Sequence, residues 1–253
     1  MRYTKKRIDY RNRIVALDIE ATGFGVTSDV VQFSMINENR KQIFNIYTCP
    51  WSFPKAYLKE LLKESCKVNH ITYSMISGHK PLFFYKDSIQ KYLNNSDVIV
   101  GFSIHHDIRW LNKNGIHIAN NKTIIDVQHL FMVYRYMQQN QQEWVRVYSL
   151  AKCAEYCGFS PVLSNVPLHN SLGDAEATLF CYEYLKSRQV DLSVGRTDSS
   201  GKPLMCKADI DDNIEVLKRY SKVLKDFSCV ENLNSAATAL QNNEVTTSFN
   251  AIE

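Results

Sequence analysis

Arg13-Ile-Val-Ala-Leu-Asp-Ile-Glu-Ala-Thr-Gly23 is the stretch that decides the fold. Residues 13–19 form a β-branched apolar run and predict a strand. Residues two apart on a strand share a face, so Ile14, Ala16, Asp18 and Glu20 point one way while Val15, Leu17 and Ile19 point the other. One face therefore turns from apolar to acidic at the carboxyl end of the strand, where α/β sheets tend to place ligands. Two carboxylates aimed at one spot repel, and without a cation at least one pKa must rise. The pair makes chemical sense as half of a Mg²⁺ or Mn²⁺ site. The Ala21-Thr22-Gly23 turn that follows can bring backbone N–H groups close to an anion.

Outward from this strand, residues 29–37 and 41–48 predict two more strands joined by the polar Asn37–Arg40 turn, giving a three-stranded antiparallel start. Residues 54–65 and 81–95 have helical periodicity, each with a proline at its opening. Asp97–Gly101 reads as a short buried strand, and a helix runs from about His106 to Asn114, closed by Gly115. Residues 123–127 predict a further strand leading into a helix at 128–139, with two more helices at 148–157 and 172–188. Strands and helices mixed in this order indicate an α/β sheet. Residues 138–146 read equally as a substrate-facing loop or as a polar connection.

Two further segments carry acids at positions where a sheet can use them. In Gly101-Phe-Ser-Ile-His-His-Asp107 a buried strand ends in glycine and delivers Asp107 to the first turn of a helix. In His169-Asn-Ser-Leu-Gly-Asp174 a loop histidine precedes an aspartate in the first turn of the next helix. A histidine beside an activated water is a suitable proton acceptor. Each segment also has a plain reading: a solvated strand end for Asp18 and Glu20, and favourable helix-terminal charges for Asp107 and Asp174. Taken alone each segment keeps its plain reading, and it is the recurrence of a second acid-bearing strand end that turns the balance toward catalysis.

Asp18-Ile-Glu20-Ala-Thr-Gly resembles the first motif of the DEDDh exonucleases, Asp107 within GFSIHHDIRWL the second, and His169-x4-Asp174 the third. That family includes the proofreading epsilon subunit of bacterial DNA polymerase III, RNase T, oligoribonuclease and the three-prime repair exonucleases. The resemblance covers residues 13–186 and extends to Val68–Thr72, Ile125-Asp126 and Leu150–Gly158. It implies an RNase H-like fold, a mixed sheet with its first three strands antiparallel and flanked by helices. It also implies 3′→5′ hydrolysis of single-stranded DNA or frayed 3′ ends to nucleoside 5′-monophosphates. Asp18, Glu20, Asp107 and Asp174 would hold two Mg²⁺ ions, replaceable by Mn²⁺, with Asp18 as the bridge and His169 as general base. Ala21, Thr22, Gly23, Phe24, Phe102 and His106 are the candidate contacts to the terminal nucleotide, although either phenylalanine could equally belong to the core. The sequence departs from the family at Phe102-Ser103 and His106, where many members have His-Asn and an aromatic, and at Gln32, where many carry an acid. An RNA-trimming exoribonuclease and a nucleic-acid adaptor on the same scaffold are the rival readings.

Composition sets the remaining bounds. The 253 residues, 45% hydrophobic, suffice for one catalytic domain and an extension, expected at 1–188 and 189–253. Residues 1–186 carry 22 Lys/Arg against 16 Asp/Glu, and the remainder 8 against 10, so the excess of positive charge lies with the candidate site. Seven cysteines without a CxxC pair argue against a secreted disulfide framework. No run reaches the ~18 apolar residues of a membrane span, and the basic start lacks a signal peptide's apolar core. A reducing compartment follows as the expectation, the cytoplasm first and the nucleus second. Within the extension, Val194–Pro203 is rich in turn residues, Ile214–Phe227 is amphipathic, and the end is polar enough to be disordered. The amphipathic stretch is expected to pack on the domain itself, with a polymerase contact or self-association as the other roles for residues 189–253.

Overall fold

The computed structural model describes residues 12–23, 28–50, 54–138, 147–160 and 168–204. Among these described residues six strands form one sheet: β1 (Asn12–Ala21), β2 (Val30–Asn37), β3 (Gln42–Tyr47), β4 (Ser96–Gly101), β5 (Thr123–Asp126) and β6 (Arg196–Thr197). Seven α-helices accompany them among the described residues: α1 (Lys55–Asn69), α2 (Tyr73–Ile76), α3 (Lys86–Asn94), α4 (His105–Lys113), α5 (Val127–Gln138), α6 (Leu150–Cys157) and α7 (Ser171–Ser187). The strand order is β3-β2-β1-β4-β5-β6. β1 to β3 form the expected antiparallel meander, while β4 and β5 run parallel to β1. The sheet is thus mixed and RNase H-like, as the sequence predicts.

The alternation along β1 sorts its side chains between two cores. Val15 and Leu17 join Phe33, Met35, Ile99, Ile108 and Leu111 beneath α3 and α4. Ala16, on the opposite face, joins Val100, Leu130, Ala175 and Leu179 beneath α5 and α7. Val15, Ala16 and Leu17 are all fully buried. A large side chain buried in this way contributes roughly 1.5–3 kcal/mol, so both layers hold β1 in place. α7 is buried around most of its circumference, from Ser171 through Leu179, because it lies across the sheet and is itself covered by neighbouring helices. Its buried residues include Ser171, Asp174, Glu176 and Thr178 beside the apolar ones, so it carries polar groups into this layer.

Helix bounds differ from the sequence expectation in two places. The helix expected at 54–65 continues to Asn69 and ends on His70 in the left-handed conformation. The stretch expected as one helix at 81–95 starts as a 3-10 turn, Leu82–Tyr85, before α3. β6 has no counterpart in the sequence reading. It lies past residue 188, is two residues long and pairs antiparallel with β5, and so short a strand has no periodicity to detect. Residues 210–227, including the amphipathic stretch, lie outside the described residues, as do Phe24 and residues 139–146.

Candidate active site

The parallel ladder between β1 and β4 ends at Ala16 and Val100, so Asp18 and Glu20 stand on a part of β1 that β4 does not cover. Their other neighbour is β2, where Asp18 lies opposite Ser34 and Glu20 opposite Gln32. The Ile19 backbone N–H, facing the uncovered edge, donates to the Asp107 carboxylate. An edge amide that a strand would otherwise satisfy therefore fixes the acid delivered by α4.

Asp107 reaches this point through a tight chain reversal after β4. Gly101 is required there, since a Cβ would come within 2.6 Å of Ile104 Cγ1, and Ser103 has a φ of 56°. The reversal is organised by Asp126, the fully buried last residue of β5. Its carboxylate accepts from the backbone N–H groups of Ser103 (3.0 Å), Ile104 (3.1 Å) and Gln128 (2.9 Å). Buried His129 lies 3.8 Å from it. Removing an acceptor from buried amides costs about 1–3 kcal/mol per group. Asp126→Ala should therefore lower the melting temperature by at least about 6 °C, and Asp126→Asn by less, because it keeps one acceptor oxygen. Thermal unfolding of the two variants checks this; an unchanged Asp126→Ala midpoint would remove Asp126 from the support of Asp107.

Asp174 is set in the first turn of α7, whose N-terminus is tied to β2. Ser171 Oγ is 2.7 Å from Ser34 Oγ, and the Ser171 N–H donates to Gln32 Oε1 at 3.3 Å. Gln32 Nε2 donates in turn to Asn45 Oδ1 at 3.0 Å. A glutamine can serve both partners at once, one with its oxygen and one with its nitrogen, which a carboxylate at this position cannot do. Asn170 caps the helix by accepting from the Leu172 N–H. His169, at φ 79°, donates its backbone N–H to both Asp174 oxygens at 3.1 and 3.3 Å. The candidate base and the candidate ligand are thus locked together through the main chain.

Asp18, Glu20 and Asp174 converge, each offering a carboxylate oxygen within 4.8 Å of the others. Asp107 flanks this trio. Burial raises the Asp18 pKa well above the usual carboxylate range, reinforced by Asp174, Asp107 and Glu20. Glu20 is pushed up to about 7 by burial and Asp174, against a hydrogen bond from Asn69. Asp174 reaches about 7 through burial, offset by the His169 amide. Burial, then Asp126 and Glu20, raise Asp107 well above its ordinary value. Such mutual repulsion is what a multivalent cation relieves, and an all-carboxylate donor set suits a hard divalent ion.

The candidate substrate contacts divide. Ala21, Thr22 and Gly23 stand at the end of β1, but the Thr22 hydroxyl accepts from the Asp29 N–H at 3.1 Å and so braces the turn. Gly23, at φ 148°, occupies backbone space that side chains disfavour. Phe102 is half-buried against the α5–α7 core. The His106 ring lies tilted against that of His105, centroids 3.9 Å apart. Burial lowers the pKa of both histidines, His105 to about 4. Asn69 was not among the sequence candidates: it is buried, hydrogen-bonds Glu20, and its Nδ2 donates to the Ala21 carbonyl at 3.4 Å. Its only sequence signal was the family-like stretch Val68–Thr72.

Among curated proteins no sequence matches this chain closely enough to count as a relative. Solved structures share its fold at low identity. The Neurospora crassa Pan2 catalytic unit, comprising protease and nuclease domains, is 16% identical with a TM-score of 0.52; the match covers 73% of this chain and 29% of that one. This chain therefore spans under a third of that unit. Exonuclease X in complex with 5′-overhanging duplex DNA is 13% identical with a TM-score of 0.50, covering 72% and 96% of the two chains. A full-length 3′-exonuclease is 11% identical with a TM-score of 0.52, covering 75% and 91%. The model of the RNase_T exonuclease family matches residues 15–182, which reach from the strand that carries the first two acids to the helix that carries the last. The chain belongs to the RNase_T exonuclease family.

Proposed function

We propose that this hydrolytic exonuclease is of the DEDDh type and trims single-stranded DNA or frayed ends from the 3′ terminus, releasing nucleoside 5′-monophosphates. The observation that carries the reading is the convergence of Asp18, Glu20 and Asp174 beside the His169 main chain, with Asp107 flanking. These four carboxylates would hold two Mg²⁺ ions, or Mn²⁺ in their place, supplying neutralising charge and a more acidic water at the scissile phosphodiester. Asp18 alone is raised by all three other acids, which supports it as the shared ligand. The His169 imidazole takes the proton from the attacking water, while Asp174 restrains its main chain. The end of β1 at Ala21–Gly23, with Phe24 beyond it, receives the terminal nucleotide.

Cations paired with aromatic rings along α1, α2 and the Lys80–Tyr85 stretch support a nucleic-acid substrate. Four residues after Asn69, the Tyr73 ring lies 5.4 and 5.3 Å from the Lys55 and Lys59 ammonium groups. Lys80 stands 5.1 Å over Phe84, which is paired with exposed Phe83. Cations interleaved with aromatic faces suit single strands of any sequence. Replacing Lys55 and Lys59 together by alanine should weaken binding of a single strand and reduce the slope of log K against log salt by about 1.4. The rate at saturating strand should be unchanged. Titrations at several salt concentrations test this, and an unaltered slope would place the strand elsewhere.

The catalytic domain is proposed to run to about residue 188, with residues 189–253 an extension whose first part returns to the sheet edge as β6. A polymerase contact or self-association through that extension belongs to the same proposal. Among the described residues no helix is long and apolar enough to cross a membrane. Matched DNA and RNA strands labelled at either end, incubated with Mg²⁺, test the function: shortening from the 3′ end is expected, the preferred sugar giving the substrate class. Shortening from the 5′ end, or none with either Mg²⁺ or Mn²⁺, rejects the proposal. In the same assay His169→Ala should slow turnover by about 10²–10⁴-fold and leave metal-dependent thermal stabilisation intact. Undiminished turnover would remove the histidine from the mechanism.

A further inference from the structure

A second cluster of metal-ligating side chains lies away from the carboxylates. Cys153 and Cys157 stand four residues apart on α6, a spacing that puts both on one helix face. Cys181 comes from α7, two turns beyond Asp174. All three are buried free thiols, and their sulfur atoms lie within 4.8 Å of one another. They sit in the core shared by Ala154, Ala177 and Leu185. A cysteine used only as a small apolar residue has no need to face two others. The three thiols instead hydrogen-bond among themselves, which holds the Cys157 thiol below its ordinary pKa, while the sharing and burial raise Cys153 and Cys181.

Geometry narrows the use of such a triad. Cys153 and Cys157 cannot form a disulfide within a regular helix, because i and i+4 Cβ atoms are about 5–6 Å apart whereas the bond requires about 3.5–4.5 Å. Structural zinc takes four ligands. No fourth histidine, cysteine, aspartate or glutamate joins the group among the described residues. Three sulfurs around a metal at about 2.3 Å would be roughly 4 Å apart, so the cluster needs to close by less than about 1 Å. Soft sulfur donors select a soft ion, whereas the carboxylate site selects a hard one, so the two sites do not compete for a metal.

We propose that Cys153, Cys157 and Cys181 form a three-sulfur site for a soft monovalent cation of the copper(I) class, clasping α6 to α7. Each sulfur that binds as a thiolate releases its proton to solvent. Loading should raise the melting temperature by about 5 °C or more at saturating metal, because the unfolded chain does not hold the three sulfurs together.

The test uses the full chain, kept reduced and anaerobic, titrated with copper(I) against a competing chelator. X-ray absorption at the copper edge reads the coordination. The expected result is one copper per chain with three sulfurs at about 2.3 Å. A variant with Cys49, Cys66, Cys206 and Cys229 changed to alanine should bind the same single ion. Separate Cys157→Ala and Cys181→Ala variants should each lose it, with circular dichroism reporting that the fold is retained; two variants guard against failure of either to fold. No retained copper, retention in both single variants, a two-sulfur signal, or zinc held as tightly as copper would each overturn the proposal.

Discussion

Asp18→Asn protein should keep its fold and lose at least about a thousandfold in turnover, a loss on the scale of removing a principal electrostatic contact from a preorganised site. Asp18 is the acid on which the field of the others falls, raised by Asp174, Asp107 and Glu20 as well as by burial. Asparagine preserves its size and one acceptor oxygen but removes the charge that a divalent ion requires. The same change should have the opposite effect on stability. In EDTA at pH 8 the variant should melt at a higher temperature than the wild type, since one of four mutually repelling carboxylates is gone. Added Mg²⁺ should raise the melting temperature of the wild type more than that of the variant. Activity within tenfold of the wild type, or a lower melting temperature in EDTA, would remove Asp18 from the centre of the site.

This combination of lost turnover and gained stability separates a functional acid from a structural one. Asp126 is the contrast. It too is buried and lies near the cluster, but three backbone N–H groups converge on it, so its removal should cost stability directly. The sequence distinguishes the two poorly. Each is an aspartate at the end of an apolar strand, and only the partners that the fold brings up show that one binds amides while the other faces acids.

What the sequence made legible follows from the range of each signal. Alternation on β1 and helical periodicity in α4 and α7 are local patterns, and they placed Asp18, Glu20, Asp107 and Asp174 on the right elements. The tie between Ser34 and Ser171 spans 137 residues and has no local signature. Gln32 stood out only as a departure from the family, whereas in the fold its amide serves Ser171 and Asn45 together. Phe102 could be read as a stacking face or as core, and in the fold it is half-buried against the α5–α7 core. Asn69 carried no charge to draw attention, yet it is the neutral group placed against Glu20.

Metal-free protein should become less stable as pH rises from about 6.5 to 8.5, and divalent metal should abolish most of that loss. Glu20 and Asp174 have folded-state values of about 7, while Asp18 and Asp107 lie well above their ordinary range. In the unfolded chain all four return to roughly 4. An acid raised on folding contributes stability that is fully present below its unfolded value and is lost as pH climbs through the folded one. At lower pH the histidines work against this trend. Burial lowers His105, His106 and His129, so the folded state resists their protonation below about 6.5 and stability falls as acid is added. Between pH 6.5 and about 7.5 the unfolded chain still sheds those histidine protons, which returns roughly 0.4 kcal/mol per histidine, so the slope is the carboxylate loss less that gain. Glu20 and Asp174, titrating near 7, lose roughly 1 kcal/mol each across this window, and Asp18 and Asp107 add a loss of the same sign, so the net fall in the melting temperature should be at least about 2 °C. Mg²⁺ would bind the ionised cluster, so its stabilising increment should be small at pH 6.5 and large at pH 8.5. Melting curves at both pH values, with EDTA and with Mg²⁺, supply all four measurements. A metal-free melting temperature that stays level or rises with pH would mean that these carboxylates do not repel one another in the folded protein, and the case for a shared metal site would fall with it.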